Sequence, residues 1–180
     1  NAERLRELIT DILDIEAIES GRMPYEMRRT RLEPLLKEAA AKCQRLAERN
    51  QVEFCLESLD ADLEVHGDGE RLGKALGHIL ANAAKFSPAG QQVEVTLGRN
   101  GSWAEIAITD HGPGIVAEFG DRIFDKFSQG DASDQRHFGG TGLGLSISRA
   151  IAEQHDGRIE FASEPGVATT FTMSLPLLEE

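Results

Sequence analysis

HILANAAKFS, residues 78–87, ends an apolar helix that carries polar side chains along one edge. Apolar residues recur at helical spacing from residue 69 to residue 86 and predict a core-facing stripe made of Leu72, Ala75, Leu76, Ile79, Leu80, Ala83 and Phe86. At about 100° per residue, His78, Asn82 and Lys85 fall within about 60° of one another beside that stripe. Asn offers a neutral oxygen to Mg²⁺ and Lys a point charge to phosphate, but on this helix alone a solvated polar edge is the simpler interpretation.

A second motif is DHGPGI, residues 110–115, which follows an apolar strand. Asp110 ends that strand, where its carboxylate can accept a hydrogen bond from a ligand amine such as that of adenine. Gly112 and Gly114 allow the backbone to come close to a planar base. Taken alone, the motif is also compatible with an ordinary Gly-Pro turn.

The third motif is GGTGLGLSIS, residues 139–148, in which glycines precede an amphipathic helix. Free backbone N–H groups at a helix start, together with the positive end of the helix dipole, form an anion site. The spacing matches neither the phosphate-binding loop of nucleotide triphosphatases nor the dinucleotide-binding fingerprint. A flexible linker is the alternative, although linkers rarely alternate Gly with Leu and Thr.

Composition limits the kinds of partner. The chain has 180 residues and a formal net charge of −12, which is typical of a single soluble domain and unfavourable for nucleic acid or an anionic membrane surface. A phosphate ligand therefore requires a local site. Cys43 and Cys55 are isolated, which indicates free thiols and fits a reducing cytoplasm. The chain starts at Asn1, so we expect a fragment whose parent protein carries any membrane anchor outside it.

The N-terminal segment predicts a helix that needs a partner. Its apolar residues follow a coiled-coil-like 3-4 spacing, and Gly21 and Pro24 then separate the helix from the rest of the chain. We therefore divide the chain into residues 1–22, one helix of a bundle, and residues 23–180. A terminal helix that packs on its own domain is the alternative.

Residues 23–180 predict an α/β two-layer sandwich with helices on one face of a mixed, largely antiparallel sheet. Residues 52–58 and 63–68 alternate like a pair of neighbouring strands. Asn100 and Gly101 predict a tight hairpin turn between two further strands. The Gly-rich stretch of residues 111–140 is long for a compact domain, which indicates a functional lid or a disordered segment.

Together, the three motifs resemble the ATP-binding domain of sensor histidine kinases. The helix with Asn82, the DxGxG turn, the pair Phe124 and Phe127, and the GTGLGL loop follow the order and spacing of that family. The resemblance covers about residues 26–176 and implies the GHKL or Bergerat fold shared with Hsp90, gyrase and MutL ATPases. Residues 8–23, LITDILDIEAIESGRM, are similar to the second helix of the family's dimerisation and phosphotransfer bundle.

The resemblance implies a role for each matching residue. Asn82 holds Mg²⁺ against the triphosphate and Lys85 contacts phosphate. Asp110 binds the adenine amine in a pocket shaped by Gly112 and Gly114. Phe124 and Phe127 match a pair that anchors the lid, and Arg136 matches a lid arginine near the γ-phosphate. Thr169 matches a threonine near the adenine. The loop that wraps the phosphates is matched by Gly140, Thr141, Gly142, Leu143 and Gly144.

The implied reaction is transfer of the γ-phosphoryl group of Mg-ATP to a histidine. From there the group passes to an aspartate on the receiver domain of a response regulator, and the full-length kinase is a homodimer. The helix that carries the family's phosphoacceptor histidine is absent from this sequence, and His66, His78, His111, His137 and His155 all lack its context. We therefore do not expect this fragment alone to phosphorylate itself.

Three positions depart from the family pattern. His78 stands where the family usually has a first Asn, His111 where Asn or Asp is commoner, and Ala168 where Gly precedes the threonine. We hypothesise that neutral His78 tolerates Mg²⁺ and that protonated His78 repels it. Mg-ATP binding then weakens between about pH 7.5 and 6, around the ordinary pKa of histidine.

Other functions remain open from the sequence. A GHKL ATPase requires a Glu one turn before Asn82, where this chain has His78. A protein-serine kinase of the anti-sigma type does not account for the bundle-like helix. A degenerate kinase that acts as a scaffold or regulator through its bundle is the non-enzymatic alternative.

Overall fold

The fold is described from a computed structural model that covers residues 2–128 and 140–178. Its elements, in chain order, are α1 (Ala2–Glu19), β1 (Arg28–Arg31), α2 (Leu32–Arg49), β2 (Glu53–Leu59), β3 (Glu64–Gly67), α3 (Gly69–Phe86), β4 (Gln92–Asn100), β5 (Trp103–Asp110), a 3-10 helix (Gly120–Phe124), α4 (Gly144–Gln154), β6 (Arg158–Glu164) and β7 (Ala168–Pro176).

The main sheet has five strands in the order β2-β4-β5-β7-β6. β2 and β4 run parallel, whereas each of the other neighbouring pairs is antiparallel. α2 packs on β2, α3 on β5, and α4 on β6 and β7. These contacts confirm the predicted α/β sandwich with a mixed, largely antiparallel sheet and a preceding helix.

The hairpin between β4 and β5 is confirmed. Asn100 pairs with Trp103, and Gly101 has a φ of +60°, which the tight turn requires. Alternate residues of the two strands are buried: Val93, Val95, Leu97, Ala104, Ile106 and Ile108. This period of two gives the sheet its core face, on which the helices lie.

The predicted pairing of residues 52–58 with residues 63–68 is wrong. β2 instead joins the main sheet next to β4, and β3 pairs with β1 in a separate two-stranded sheet. Alternating polarity indicates which face of a strand is buried but not which strand lies beside it. The neighbours were therefore not determined by the pattern.

Helix α3 forms over the predicted residues. Asp68 caps it by accepting a hydrogen bond from the backbone N–H of Arg71, 3.1 Å away. The predicted apolar stripe is buried as far as Ala83 and Ala84. Phe86, at the last helical position, was assigned to the stripe but is 41% exposed.

Helix α1 packs with one side on the rest of the chain. Ile15 is buried in the main hydrophobic cluster, and Leu8 and Ile18 pack against that cluster. The other side leaves large apolar residues exposed: Leu5, Ile9, Ile12 and Leu13. α1 therefore packs on its own chain and presents an apolar face on its other side, and its place in a helix bundle stays a prediction. Within residues 2–128 and 140–178, no helix is long and apolar enough to cross a membrane.

His155 connects the end of α4 to the start of α3. It occupies the C-cap position of α4 and is 4% exposed. Its place at the end of a helical pattern and before Gly157 in the sequence predicts such a cap residue. Its Nδ1 donates to the carbonyl of Ile151 at 2.7 Å, because its Nε2 accepts the backbone N–H of Asp68 at 2.9 Å. A buried imidazole with both nitrogens satisfied is a structural element, which agrees with its prediction as a cap residue.

We predict that His155→Ala lowers the free energy of unfolding by about 2 kcal/mol or more. The substitution leaves the Asp68 N–H and the Ile151 carbonyl without their partner, and a buried unsatisfied group costs about 1–3 kcal/mol. Urea unfolding followed by circular dichroism measures the change. His66→Ala, at an exposed position on β3, serves as the control and should change stability by less than about 0.5 kcal/mol. Equal stability of the two variants would contradict this role.

Candidate functional site

The three sequence motifs meet along the second half of α3. A Cβ atom placed on Gly112 would lie 2.5 Å from the carbonyl oxygen of Phe86. A Cβ on Gly144 would lie 2.9 Å from Nδ1 of His78, and a Cβ on Gly140 would lie 3.8 Å from Nζ of Lys85. The turn after β5 and the glycine loop (residues 140–144) therefore both border this helix.

Asp110 and Thr169 form a buried polar pair at the end of two neighbouring strands. They are paired residues of β5 and β7, and they are 5% and 3% exposed. Oδ1 of Asp110 accepts the N–H of Gly112 at 2.9 Å, and the hydroxyl of Thr169 lies 2.7 Å from that of Ser163. The structure thus brings together two predicted adenine-binding residues that are far apart in the chain.

Burial raises the pKa of Asp110 above its ordinary value. The Gly112 N–H and the nearby His111 lower that pKa and only partly offset the effect of burial. A carboxylate in such a place is stabilised by any further hydrogen-bond donor. A ligand amine that reaches Asp110 would supply one, which is the chemistry that the adenine prediction requires.

Two glycines allow the turn after β5 to pack closely against neighbouring backbone. Gly112 has no room for a side chain, because the Phe86 carbonyl and Oδ1 of Asp110 would both lie within 2.9 Å of a Cβ. Gly114 has a φ of +82°, and a Cβ there would lie 2.7 Å from Cα of Pro165. Both glycines are therefore demanded by close backbone packing around Asp110.

The glycine loop leads directly into α4. Gly142 has a φ of +71°, Leu143 is buried, and Gly144 is the first residue of the helix. The N–H of Leu143 donates to the hydroxyl of Thr141 at 3.2 Å. Since the residue at the cap position is apolar Leu143, its side chain satisfies none of the first-turn N–H groups, which suits an anion site.

Asn82 and Lys85 are half-buried on α3, and Nζ of Lys85 lies beside Gly140 of this loop. Within the described ranges, no group of three or more His, Cys, Asp or Glu side chains could hold a metal ion. Mg²⁺ bound with a nucleotide needs few protein ligands, because phosphate oxygens and water complete its octahedron. The carbonyl oxygen of Asn82, one turn from both His78 and Lys85 on this helix, therefore has the chemistry that such an ion requires.

His78 contacts α1 and the start of α4. Its Nε2 lies 3.8 Å from Oδ1 of Asp11, and among the described residues this buried nitrogen has no hydrogen-bond partner. Burial lowers the pKa of His78; Lys74 and Lys85 lower it further, while Asp11 and Asp14 oppose them. The predicted pH window of 7.5 to 6 is therefore too high. With a lowered pKa, His78 becomes charged, and in our hypothesis weakens Mg-ATP binding, only at lower pH.

The two phenylalanines predicted to anchor the lid have different surroundings. Phe124 is buried, with its ring centroid 6.2 Å from that of Phe161 and 6.3 Å from that of Phe171, and the Arg149 guanidinium lies 5.3 Å from it. Phe127 is 63% exposed, so of the pair Phe124 is the one that anchors this segment to the core. The predicted contact of Arg136 lies outside the described residues.

Sequence reasoning missed Asp11, which is 5% exposed on α1. Its Oδ2 accepts a hydrogen bond from the hydroxyl of Thr141 at 2.9 Å. The available signal was its position, since Asp11 interrupts the apolar seam between Leu8 and Ile15. A charged residue in an apolar seam generally has a specific partner.

Residues 67–179 match the sequence model of histidine kinase-, DNA gyrase B- and HSP90-like ATPases. The matched span contains α3, the turn after Asp110 and the glycine loop. This chain belongs to that family. Within the family, its catalytic region is of the sensor histidine kinase type, as the relatives below indicate.

Sensor histidine kinases are similar to the chain over nearly its whole length. It is 34% identical over 179 residues to the sensor-like histidine kinase SenX3 of Mycobacterium tuberculosis, with 99% of this chain and 43% of SenX3 covered. It is 35% identical over 174 residues to the sensor histidine kinase RcsC of Escherichia coli, with 96% and 18% covered. The chain therefore spans less than half the length of these curated relatives.

Solved structures of histidine kinases share the fold. The Acinetobacter baumannii histidine kinase AdeS superimposes with a TM-score of 0.81 at 21% identity, covering 99% of this chain and 81% of AdeS. Full-length ShkA, solved in complex with AMPPNP, gives 0.84 at 24% identity, covering 98% and 36%. The mycobacterial sensor histidine kinase MprB gives 0.71 at 29% identity, covering 86% and 99%.

We predict that Gly112→Ala destabilises this histidine kinase-type domain by about 1–3 kcal/mol, the usual cost of forcing atoms into a packed site. The added methyl group must displace either the Phe86 carbonyl or the Asp110 carboxylate. Thermal unfolding measures the loss. Gly98→Ala is the matched control, because no described atom lies within 4 Å of a Cβ there. If both variants unfold like the wild type, the close packing at Gly112 is not required.

Proposed function

We propose that this chain binds Mg-ATP and presents its γ-phosphoryl group to a histidine, for relay to a response regulator. The observation that carries the proposal is the meeting of the buried Asp110–Thr169 pair and the glycine loop along one helix. A base-binding group and a phosphate-binding group on either side of Asn82 and Lys85 constitute a nucleotide site. Membership of a family of ATPases supports the same ligand.

In this proposal the adenine lies at the end of β5 and β7. Asp110 accepts a hydrogen bond from the exocyclic amine, which gives its buried carboxylate a further donor. Thr169, hydrogen-bonded to Ser163, is held at the paired position and supplies a hydroxyl to the same pocket. Gly112 and Gly114 let the backbone approach the base.

The triphosphate lies along α3 and is wrapped by the glycine loop. First-turn N–H groups of α4 donate to phosphate oxygens, and Lys85 contributes a positive charge near Gly140. Asn82 offers its carbonyl oxygen to the metal. Mg²⁺ held by Asn82 and the nucleotide would neutralise negative charge on the phosphates. The residues of this chain thus act by positioning and by charge neutralisation.

The acceptor and the partners belong to the full-length protein. The exposed apolar side of α1 fits a further bundle helix, and we place the phosphoacceptor histidine on such a helix, outside this sequence. We further assign a homodimer, a receiver domain as the next acceptor, and any membrane anchor to the parent protein. Free thiols at Cys43 and Cys55 support a cytoplasmic location.

The alternative of an independent ATPase is not favoured. Such an enzyme activates water with a Glu at the position of His78. The His78 ring packs instead against Gly144 and lies near Asp11, where it is poorly placed to activate water. The non-enzymatic scaffold differs from our proposal in one measurable property, which is nucleotide affinity.

We predict that Asp110→Ala weakens ADP and Mg-ATP binding by about 10- to 100-fold. The variant removes the acceptor for the adenine amine, and an unpaired buried donor costs about 1–3 kcal/mol. Isothermal titration calorimetry measures both affinities. The exposed Asp156→Asn is the control and should bind like the wild type. No nucleotide binding by wild-type protein at millimolar concentration favours the scaffold.

We predict that Asn82→Ala removes most of the gain in ATP affinity that Mg²⁺ produces. Because Asn82 is assigned to the metal and not to the base, the affinity of the Asn82→Ala variant for ADP in EDTA should stay within about two-fold of that of the wild type. Titrations with ATP in Mg²⁺ and in EDTA give the two values for each protein. A Mg²⁺ effect that is unchanged in Asn82→Ala removes Asn82 from the metal site.

A further inference from the structure

Asp11 connects α1 to the glycine loop through a buried carboxylate. Its Oδ2 accepts the Thr141 hydroxyl at 2.9 Å, and its Oδ1 lies 3.8 Å from Nε2 of His78 and 4.0 Å from Nζ of Lys74. Lys74 also forms an ion pair with Asp14, one turn further along α1. The nucleotide site described above uses neither Asp11 nor these ion pairs.

We propose that Asp11 is a latch that holds Thr141 away from nucleotide, so that docking of α1 and binding of ATP oppose each other. The proposal rests on the proposed function, because it assigns the Thr141 hydroxyl to a phosphate oxygen when ATP is bound. Asp11 is a positioning residue in this scheme, since it acts on the nucleotide through Thr141.

The opposition follows from the hydrogen-bonding capacity of threonine. A hydroxyl has one hydrogen to donate, and in this structure it goes to Asp11. A phosphate oxygen that takes over this hydrogen leaves the docked Asp11 carboxylate without its donor, and the two anionic groups would then lie within about 6 Å of each other around one hydroxyl oxygen. At that distance and under partial burial, two anionic groups repel each other appreciably.

The cations of α3 add to the effect. In the docked arrangement Lys74 is paired with Asp14 and lies near Asp11. Lys74 is on the same helix as Asn82 and Lys85, so its charge would otherwise raise the positive potential along the proposed phosphate path. Docking of α1 thus occupies a donor and neutralises a cation, and both changes disfavour a triphosphate.

The docked helix can be released at modest cost. On α1, the buried residues are Asp11 and Ile15, whereas Leu5, Ile9 and Leu13 are at least half exposed. A further tie is an ion pair between Glu19 and Lys126, both of which are exposed. Few buried apolar contacts and several polar ties are typical of an element that opens locally.

The test is Mg-ATP affinity of the whole chain with the latch removed. Asp11→Ala should bind Mg-ATP about five-fold more tightly than the wild type, or more, in the range of ordinary coupling between sites. Asp11→Asn keeps an acceptor but loses the charge and should show a smaller gain. Glu16→Gln removes one charge from an exposed position of the same helix and should leave affinity unchanged.

Hydrogen exchange gives a second, independent measurement. Coupling is reciprocal, so ATP should speed the exchange of α1 amides in the wild type and have little effect in Asp11→Ala, where exchange is already fast. Thr141→Val should speed α1 exchange without nucleotide, because it removes the same hydrogen bond from the other side. Thr141→Ser retains the hydroxyl and should exchange like the wild type.

The outcomes separate the latch from the proposed function. If the wild type binds ATP, and Asp11→Ala and Asp11→Asn bind it equally well or more weakly, the latch is wrong and the nucleotide site stands. Unchanged α1 exchange in Thr141→Val also overturns the latch. If neither the wild type nor any folded Asp11 variant binds ATP, the proposed function fails, and the latch fails with it.

Discussion

Close packing of backbone against α3 is the constraint on which the site depends. The Phe86 carbonyl and the His78 ring lie where side chains of Gly112 and Gly144 would begin. Because these positions lack a Cβ, the turn after β5 and the glycine loop can lie directly on one helix. Asp110 and the proposed phosphate loop are brought to the same side of the fold by this packing.

The proposed nucleotide site must hold a polyanion on a chain that is itself strongly negative. A chain with a net charge of −12 does not attract a polyanion, so a nucleotide must be held by local groups. In our proposal, Lys85, the start of α4 and the Asn82–Mg²⁺ contact provide such groups within a small region. The same balance makes α1 important, because its acidic residues reach this region and engage Lys74 and Thr141.

Much of the fold could be predicted because its signals are local. The bounds of α3, the hairpin at Gly101 and the cap at His155 depend on residues within a few positions of one another. The order of the three motifs pointed to the family, and the comparisons bear this out. Strand neighbours were predicted less well, since β2 and β3 show the alternation of strands without any mark of their partners.

The sequence by itself determined the helices, the turns and the residue types of a nucleotide site, because periodicity and turn chemistry act over short distances. The tertiary structure decided which of these residues meet. The hydrogen bond between Asp11 and Thr141 joins residues 130 positions apart, and the pairing of Asp110 with Thr169 joins two strands that are not consecutive. Such contacts follow from how the elements pack, which no local pattern specifies.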